Sequence, residues 1–397
     1  MEKLTLGAEV FSRSVENIIT AESLGKLLAS GRKLRIKFGA DVTATSLHIG
    51  HAVNLWKMRE LQDYGHKVVF LIGDFTTTIG DPTGRLEARR KASPEDVDSW
   101  AKNFIAEAGE ILRTGKKVFE VRKNSEWYSR MKAADLLRLM SFFTHSRMIE
   151  RDMFKKRMAA GKEIVLTELV YPILQGYDSV MLGSDLTIIG SDQLFNEGAG
   201  RLLQEKFGQP PQVLITTTIT PGLDGGEKMS KSLGNYIGLA DSPQDKFGKT
   251  MRLADSLIIP YLKAYTDVPL ADIENMEREL GRGKNLMEAK LFLASALVRR
   301  YHGQRVALRE RTKFLTLFSK KEIPAGGIPE VRLRHGEWGP MELLMASGLA
   351  PSKSEARRLI RQGAVEVEGK VLRAGEKRDV KSGAVVRVGK KKFVRIV

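Results

Sequence analysis

The chain has 397 residues, more than the roughly 100–200 of a usual single domain, so two or three domains are expected. With 42% hydrophobic and 28% charged residues it has the composition of an ordinary globular protein, which excludes extensive disorder. The 65 Lys and Arg against 48 Asp and Glu leave a charge of +17, which favours a polyanionic partner, and the absence of cysteine excludes disulfides, thiolate zinc sites and cysteine nucleophiles.

The opening Met1-Glu2-Lys3-Leu4 has no apolar leader core, and no run of about 18 apolar residues occurs, so a cytoplasmic protein with no membrane span is expected. Leu34 to Phe38 is an apolar-rich strand ending at Gly39, followed by a polar turn and a helical pattern from Ile49 to Tyr64 that Gly65 stops. Lys67 to Ile72 reads as a fully buried strand, which makes residues 33–73 a strand–helix–strand unit suited to a parallel sheet. Further strands are expected at Val118–Val121, Asp185–Ile189 and Gln212–Ile219 with helices between them, the alternation of a Rossmann-like doubly wound α/β domain. Residues 130–180 read as a helical insertion. Its apolar positions would serve either an oligomer interface or the face of the sheet itself.

From Ser242 to about Ser319 the strand pattern gives way to helical spacing around Met287, Leu291, Leu293 and Leu297. Ile323 to Pro329 is rich in Gly and Pro and reads as a linker. Residues 339–397 carry 14 Lys and Arg against 6 Asp and Glu, nearly half of the chain's positive excess. A helix there runs from a Ser352 or Ser354 cap to Gly363, with short β runs at 364–367, 384–388 and 392–396. The expected division is a catalytic α/β domain at 1–238, a helical domain at 239–322, a linker at 323–338 and a small α+β domain at 339–397.

Two segments carry chemistry. In Gly39-Ala40-Asp41-Val42-Thr43-Ala44-Thr45-Ser46-Leu47-His48-Ile49-Gly50-His51 a strand leads into a helix, whose N-terminal N–H groups attract phosphate while Gly39 and Gly50 let a nucleotide approach the backbone. His48 and His51 share a helical face and can both donate to phosphate oxygens as pyrophosphate departs. Zinc ligation by this pair is disfavoured, because no zincin-type Glu and no Cys accompanies it. The second segment, Lys228-Met229-Ser230-Lys231-Ser232, follows the Gly-rich loop Pro221 to Gly226; two ammonium groups on such a loop can neutralise a bound triphosphate.

Together, in this order and about 180 residues apart, the segments resemble the HIGH and KMSKS signatures of class I aminoacyl-tRNA synthetases. Between them Phe70 to Asp74, Ile79 to Gly84, Tyr171 to Ser179 and Gly190 to Gln193 resemble the tyrosyl branch, in its bacterial form, over most of residues 30–240. Residues 339–397 resemble the S4-type RNA-binding domain. The resemblance implies tyrosine–tRNA ligase activity with ATP and tyrosine as substrates, Mg²⁺ accompanying ATP, no tightly bound metal, tyrosine tRNA as partner and a homodimer.

Residue by residue, it implies that Asp81, Tyr171 and Gln175 hold the tyrosine α-amino group, that Asp178 accepts from the phenol, and that Gln193 lies beside the carboxylate. Gly39, Asp41, Gly50, Gly190 and Asp192 would line the ATP site, with Asp192 on the ribose. Thr43, His48, His51, Lys228 and Lys231 would face the phosphates. Lys353, Arg357, Arg358 and Arg361 would face RNA. Two departures stand out: Lys37 replaces the second phenol-binding Tyr of several tyrosyl enzymes, and Ala40-Asp41-Val42 keeps the acid of the usual Phe-Asp-Pro while losing its ring and proline. Lys246 to Thr250, a second KMSKS-like stretch without a preceding Gly-rich loop, is assigned to the helical domain. The rival readings are a nucleotidyl-transferase acting on a small molecule, a degenerate synthetase that only binds RNA, and a tryptophan-specific relative.

Overall fold

The computed structural model describes residues 8–42, 46–80, 93–230, 233–283, 285–318, 329–389 and 392–397. The expected residues Thr43, Asp81 and Lys231, and residues 323–328 of the expected linker, lie outside them. By contact the chain divides into two compact units, Met1–Gly303 and Gln304–Val397.

The first unit is built on a six-stranded sheet of β1 (Val15–Ile19), β2 (Arg35–Ala40), β3 (Lys67–Ile72), β4 (Phe119–Lys123), β5 (Leu186–Gly190) and β6 (Val213–Thr217), in the spatial order β1-β6-β5-β2-β3-β4. Every pairing is parallel except β1 with β6. The central strands are near-continuous apolar runs because both faces are covered: β3 is buried at every residue from Val68 to Ile72. Phe38, Phe70 and Phe119 stack across three adjacent strands, with centroids 5.2 and 6.2 Å apart. Truncating Phe70, fully buried at their centre, would cost about 3–5 kcal/mol.

Helices follow in chain order: α1 (Ala21–Ala29), α2 (Ile49–Asp63), α3 (Pro94–Gly109), α4 (Ser125–Tyr128), α5 (Ala133–Met140), α6 (His145–Ile149), α7 (Asp152–Ala159), α8 (Leu166–Leu182) and α9 (Leu194–Lys206). A helical layer then comprises α10 (Pro243–Met251), α11 (Ile258–Tyr265), α12 (Leu270–Gly281) and α13 (Leu286–His302). This layer shares one apolar cluster with the first motif, since Ile49 and Val53 of α2 and Met229 of the second signature pack with Ile258, Tyr261, Leu262 and Leu293.

The order of the strands positions the site. From β2 the sheet grows in one direction to β3 and β4 and in the other to β5 and β6, so the direction of winding reverses between β2 and β5. Ligands of open α/β sheets bind in the crevice beyond the carboxyl ends of the strands at such a reversal. Asp41 follows β2, Thr76 follows β3, Asn124 follows β4, and Asp192 and Gln193 follow β5.

The second unit opens with α14 (Gln304–Phe318) and continues with β7 (Glu330–Val331), β8 (Gly336–Trp338), α15 (Pro340–Ala346), α16 (Lys353–Arg361), β9 (Val365–Val367), β10 (Lys370–Val371), β11 (Arg378–Val380), β12 (Val385–Val388) and β13 (Lys392–Ile396). Ser352 caps α16 by accepting from the Glu355 N–H at 3.2 Å, and Gly363 adopts φ +64° beyond its end. Ala356 and Ile360 of α16 bury against Leu343, Val365, Val386 and Val394, while Lys353, Arg357, Arg358 and Arg361 of the same helix are exposed.

Candidate active site

The first signature folds into the turn before α2. His48 is the N-cap: its Nδ1 accepts the Gly50 N–H at 3.2 Å, and its own N–H is donated to Nδ1 of His51 at 3.2 Å. With both Nδ1 atoms accepting, each neutral ring carries its proton on Nε2, the donor polarity a phosphate requires. The two rings lie 4.0 Å apart, and Tyr236 stands 6.1 Å from His48. A Cβ on Gly50 would come within 2.8 Å of the His48 ring, so glycine is required for the cap rather than only for nucleotide approach. Gly39 differs, because a Cβ there would meet nothing nearer than Leu71 at 4.0 Å.

Asp41, just past β2, accepts from the Tyr171 hydroxyl at 2.8 Å and from Thr76 Oγ1 at 2.7 Å. Thr76 accepts in turn from Asn124 Nδ2 at 3.0 Å, and the same amide reaches Asp178 Oδ2 at 3.4 Å. The acid of the first motif and the acid expected to read the phenol are therefore two ends of one hydrogen-bonded chain.

Asp178 is 3% exposed. Its Oδ1 accepts from Trp127 Nε1 at 3.0 Å and from the Tyr128 hydroxyl at 2.9 Å. Burial pushes its carboxyl up to about 7, against the pull of the Lys37 ammonium and of the donors Tyr128, Asn124 and Trp127. The same burial, with Asp178 beside it, drives the Tyr128 phenol well above its ordinary range. Asn124, Trp127 and Tyr128 are absent from the sequence-based set. Their signal is positional: Asn124 directly follows β4 at the same edge of the sheet as Asp41 and Asp192.

Lys37 does not hydrogen-bond Asp178. Its Nζ pairs with Glu197 Oε2 at 2.7 Å and donates to Ser179 Oγ at 2.7 Å, with both charged side chains at most 2% exposed. Gln175 and Gln193 are joined through Asn196, whose Nδ2 donates to Oε1 of each at 2.9 Å. Beyond β5, Asp192 pairs with Lys228 at 2.9 Å, and a Cβ on Gly190 would crowd the Asp192 carboxylate at 2.8 Å. The loop carrying Lys228 is anchored by Met229 in the apolar cluster and by the Ser230 N–H, which donates to Asn235 Oδ1 at 2.9 Å. Lys249 of the second KMSKS-like stretch lies on α10, paired with Asp241 at 2.6 Å and 5.2 Å from the Tyr236 ring.

Histidine donors at a helix start, a lysine-bearing loop whose Met229 packs against α2 and a crevice at the β2/β5 reversal are the arrangement expected of a class I aminoacyl-tRNA synthetase. The family model described as tRNA synthetases class I (W and Y) matches residues 29–319, and the S4 domain model matches 342–386. The chain belongs to this class I family of the tryptophan and tyrosine branch. It is 43% identical over 391 residues to a tyrosine–tRNA ligase of Dehalococcoides mccartyi (strain CBDB1), covering 98% of each chain. It is likewise 42% identical over 394 residues to that of Ralstonia nicotianae, with 98% of this chain and 99% of the relative covered. Among solved structures, the tyrosyl-tRNA synthetase of Archaeoglobus fulgidus complexed with L-tyrosine shares the fold at TM-score 0.60 and 21% identity, over 76% of this chain and 98% of that one. A C-terminally truncated mitochondrial tyrosyl-tRNA synthetase of Coccidioides posadasii does so at TM-score 0.59 and 24% identity, over 78% and 92%.

Proposed function

We propose that the chain acts as a tyrosine–tRNA ligase through the residues gathered at this crevice. The tyrosine carboxylate attacks the α-phosphate of ATP in line, releasing pyrophosphate and leaving tyrosyl-adenylate; the 3′-terminal ribose hydroxyl of tyrosine tRNA then takes the tyrosyl group and AMP departs. No protein nucleophile is needed, so catalysis is positioning plus stabilisation of developing charge. His48, His51, Lys228, Lys231 and Thr43 face the phosphates, and Mg²⁺ enters with ATP as part of that substrate. Gly39, Asp41, Gly50, Gly190 and Asp192 line the nucleotide site, with Asp192 on the ribose hydroxyls. Asp81, Tyr171 and Gln175 surround the tyrosine ammonium, Gln193 lies beside its carboxylate and Asp178 accepts from its phenol. Thr43, Asp81 and Lys231 take these roles from their motifs alone.

The observation that carries the choice of tyrosine is the buried Asp178, ringed by Trp127, Tyr128 and Asn124. A substrate phenol can satisfy such an acceptor, whereas a phenylalanine ring leaves it without that donor, a loss worth about 1–3 kcal/mol or more. Rejection of phenylalanine by tyrosyl enzymes without editing is itself the established example of discrimination through a hydrogen bond left unmade.

The remaining readings rest on the sequence division into 1–238, 239–322, 323–338 and 339–397. The last of these grips tRNA through Lys353, Arg357, Arg358 and Arg361. Two protomers pair through the exposed apolar residues Leu137, Met158, Val165 and Leu166 of the helical insertion, which are 44–77% exposed. The chain works in the cytoplasm, where a protein without cysteine is unaffected by the reducing poise. ATP–pyrophosphate exchange with each of the twenty amino acids tests the central reading. Tyrosine alone should stimulate it; stimulation by tryptophan instead, or by none, would overturn it.

A further inference from the structure

Beneath the crevice lies a buried charge that takes no part in either reaction step. Helices α8 and α9 cross at Gly176 and Gly200, where a Cβ on the first would come within 2.8 Å of the Gly200 nitrogen and one on the second within 2.9 Å of Ser179 Oγ. Only glycine permits this approach, and it brings Glu197 of α9 under Gln175 of α8. The Glu197 carboxylate is 2% exposed and takes Lys37 at 2.7 Å and Gln212 Nε2 at 2.9 Å on Oε2, and Gln175 Nε2 at 2.9 Å on Oε1.

A carboxylate can only accept. Gln175 must therefore turn its N–H2 toward Glu197, which turns its Oε1 the other way, where it takes Asn196 Nδ2 on one lone pair. Asn196 gives the same Nδ2 to Gln193 Oε1, so the other end of the Gln193 amide is its N–H2. Asn196 holds this polarity although its own Oδ1 is buried with no donor among the described residues. Reversing it would set its oxygen against two acceptors. The alignment thus runs in one direction from Glu197 through three amides.

We propose that Glu197 is a positioning residue for the amino-acid substrate: its buried carboxylate, neutralised by Lys37, fixes Gln175 with a carbonyl oxygen toward the substrate ammonium and Gln193 with an N–H2 toward the substrate carboxylate. The proposal rests on the placement of Gln175 and Gln193 at those two groups. It gives Lys37 a task other than reading the phenol: it supplies the counter-charge that lets a carboxylate stand in the interior. Without that fixed charge each amide can present either end, and the two substrate groups that distinguish an amino acid from a simple phenol lose their matched partners.

The test is tyrosine-dependent ATP–pyrophosphate exchange by Glu197→Gln, with p-cresol as competitive inhibitor, since p-cresol has the phenol and neither the ammonium nor the carboxylate. The tyrosine KM should rise about tenfold, the scale of one hydrogen bond to a charged group, with kcat, the ATP KM and the p-cresol inhibition constant all within about twofold. A parallel rise in the p-cresol constant would mean a collapsed pocket and would overturn the proposal, as would an unchanged tyrosine KM. The double variant Lys37→Met/Glu197→Met removes both buried charges and restores packing without restoring amide polarity, so it should keep the raised tyrosine KM; recovery of the wild-type value would also overturn the proposal. Gln175→Ala separates the levels. If it raises the tyrosine KM while Glu197→Gln does not, the relay fails and the site stands; if neither moves it, the placement of Gln175 at the ammonium fails as well.

Discussion

Lys228 holds its Nζ 2.9 Å from Oδ2 of Asp192, so the first lysine of the second signature is paired with the acid proposed for the ribose. With Asp192 on the ribose as proposed, nucleotide and lysine would compete for that carboxylate, and ATP entry would move Lys228 from Asp192 toward the phosphates. The pair is a weak latch: the two side chains are 52% and 31% exposed, and an exposed pair of this kind contributes at most about 1 kcal/mol. Met229 stays in the apolar cluster, so the swing belongs to the lysine side chain and the loop backbone need not unpack.

Lys228→Ala should therefore leave stability almost unchanged, with a melting temperature within about 2 °C of wild type. The loss should fall on adenylate formation, by about 10²–10³-fold in single-turnover experiments, the scale for removing one donor from a developing oxyanion. The ATP KM should move little or fall, because removal of the lysine also frees Asp192. A variant that melts early and loses both half-reactions equally would assign Lys228 to the fold and not to the phosphates.

The pH dependence of tyrosine activation should report Asp178. Its carboxyl, raised by burial to about 7, is mostly protonated near pH 6 and mostly anionic near pH 8. Because the folded value lies above the ordinary one, ionisation of this group removes stability as the pH rises toward and through about 7. The charge makes a stronger acceptor for the substrate phenol, so kcat/KM for tyrosine should rise from pH 6 to 8 by about tenfold. A profile flat across this range in wild type would show that the phenol does not meet a titrating Asp178.

Local patterns in the sequence carry much of the fold, and they carry the site only in part. The helix read from Ile49 to Tyr64 forms over Ile49–Asp63, with Gly65 at φ +82° beyond it, because spacing and stop signal are both local. The strand at Lys67–Ile72 forms over the same residues for the same reason. Strand β1 escapes such a reading: Val15–Ile19 is a partly exposed antiparallel edge whose alternation is weak, and its partner is β6, far along the chain. The motif residues around the phosphates are legible because each signature is contiguous. Asn124, Trp127 and Glu197 are not, since each acquires its meaning from a partner on another element: Asp178 on α8 for the first two, and Lys37 on β2 for the third. In the sequence, Lys37 reads only as the loss of a phenol ligand. The α8–α9 crossing, with glycine at both contacts, is what shows that its charge is matched from the opposite side.

The basic face of α16 should separate the two half-reactions. Arg358 is held by Glu355 at 2.6 Å, so part of its charge is already matched within the helix. Lys353, Arg357 and Arg361 are exposed and form no ion pair among the described residues. Side chains of this kind release counterions when they bind phosphate, so removing one of them should reduce the slope of log affinity against log salt by about one. The double variant Arg357→Ala/Arg361→Ala should therefore raise the tRNA KM in aminoacylation, by an amount that shrinks as salt increases, while tyrosine-dependent ATP–pyrophosphate exchange stays at the wild-type rate. Arg358→Ala should have the smaller effect, because its removal also unmasks Glu355. Equal loss of both half-reactions in the double variant would place these arginines in the stability of the second unit, and an unchanged salt slope would exclude them from the RNA interface.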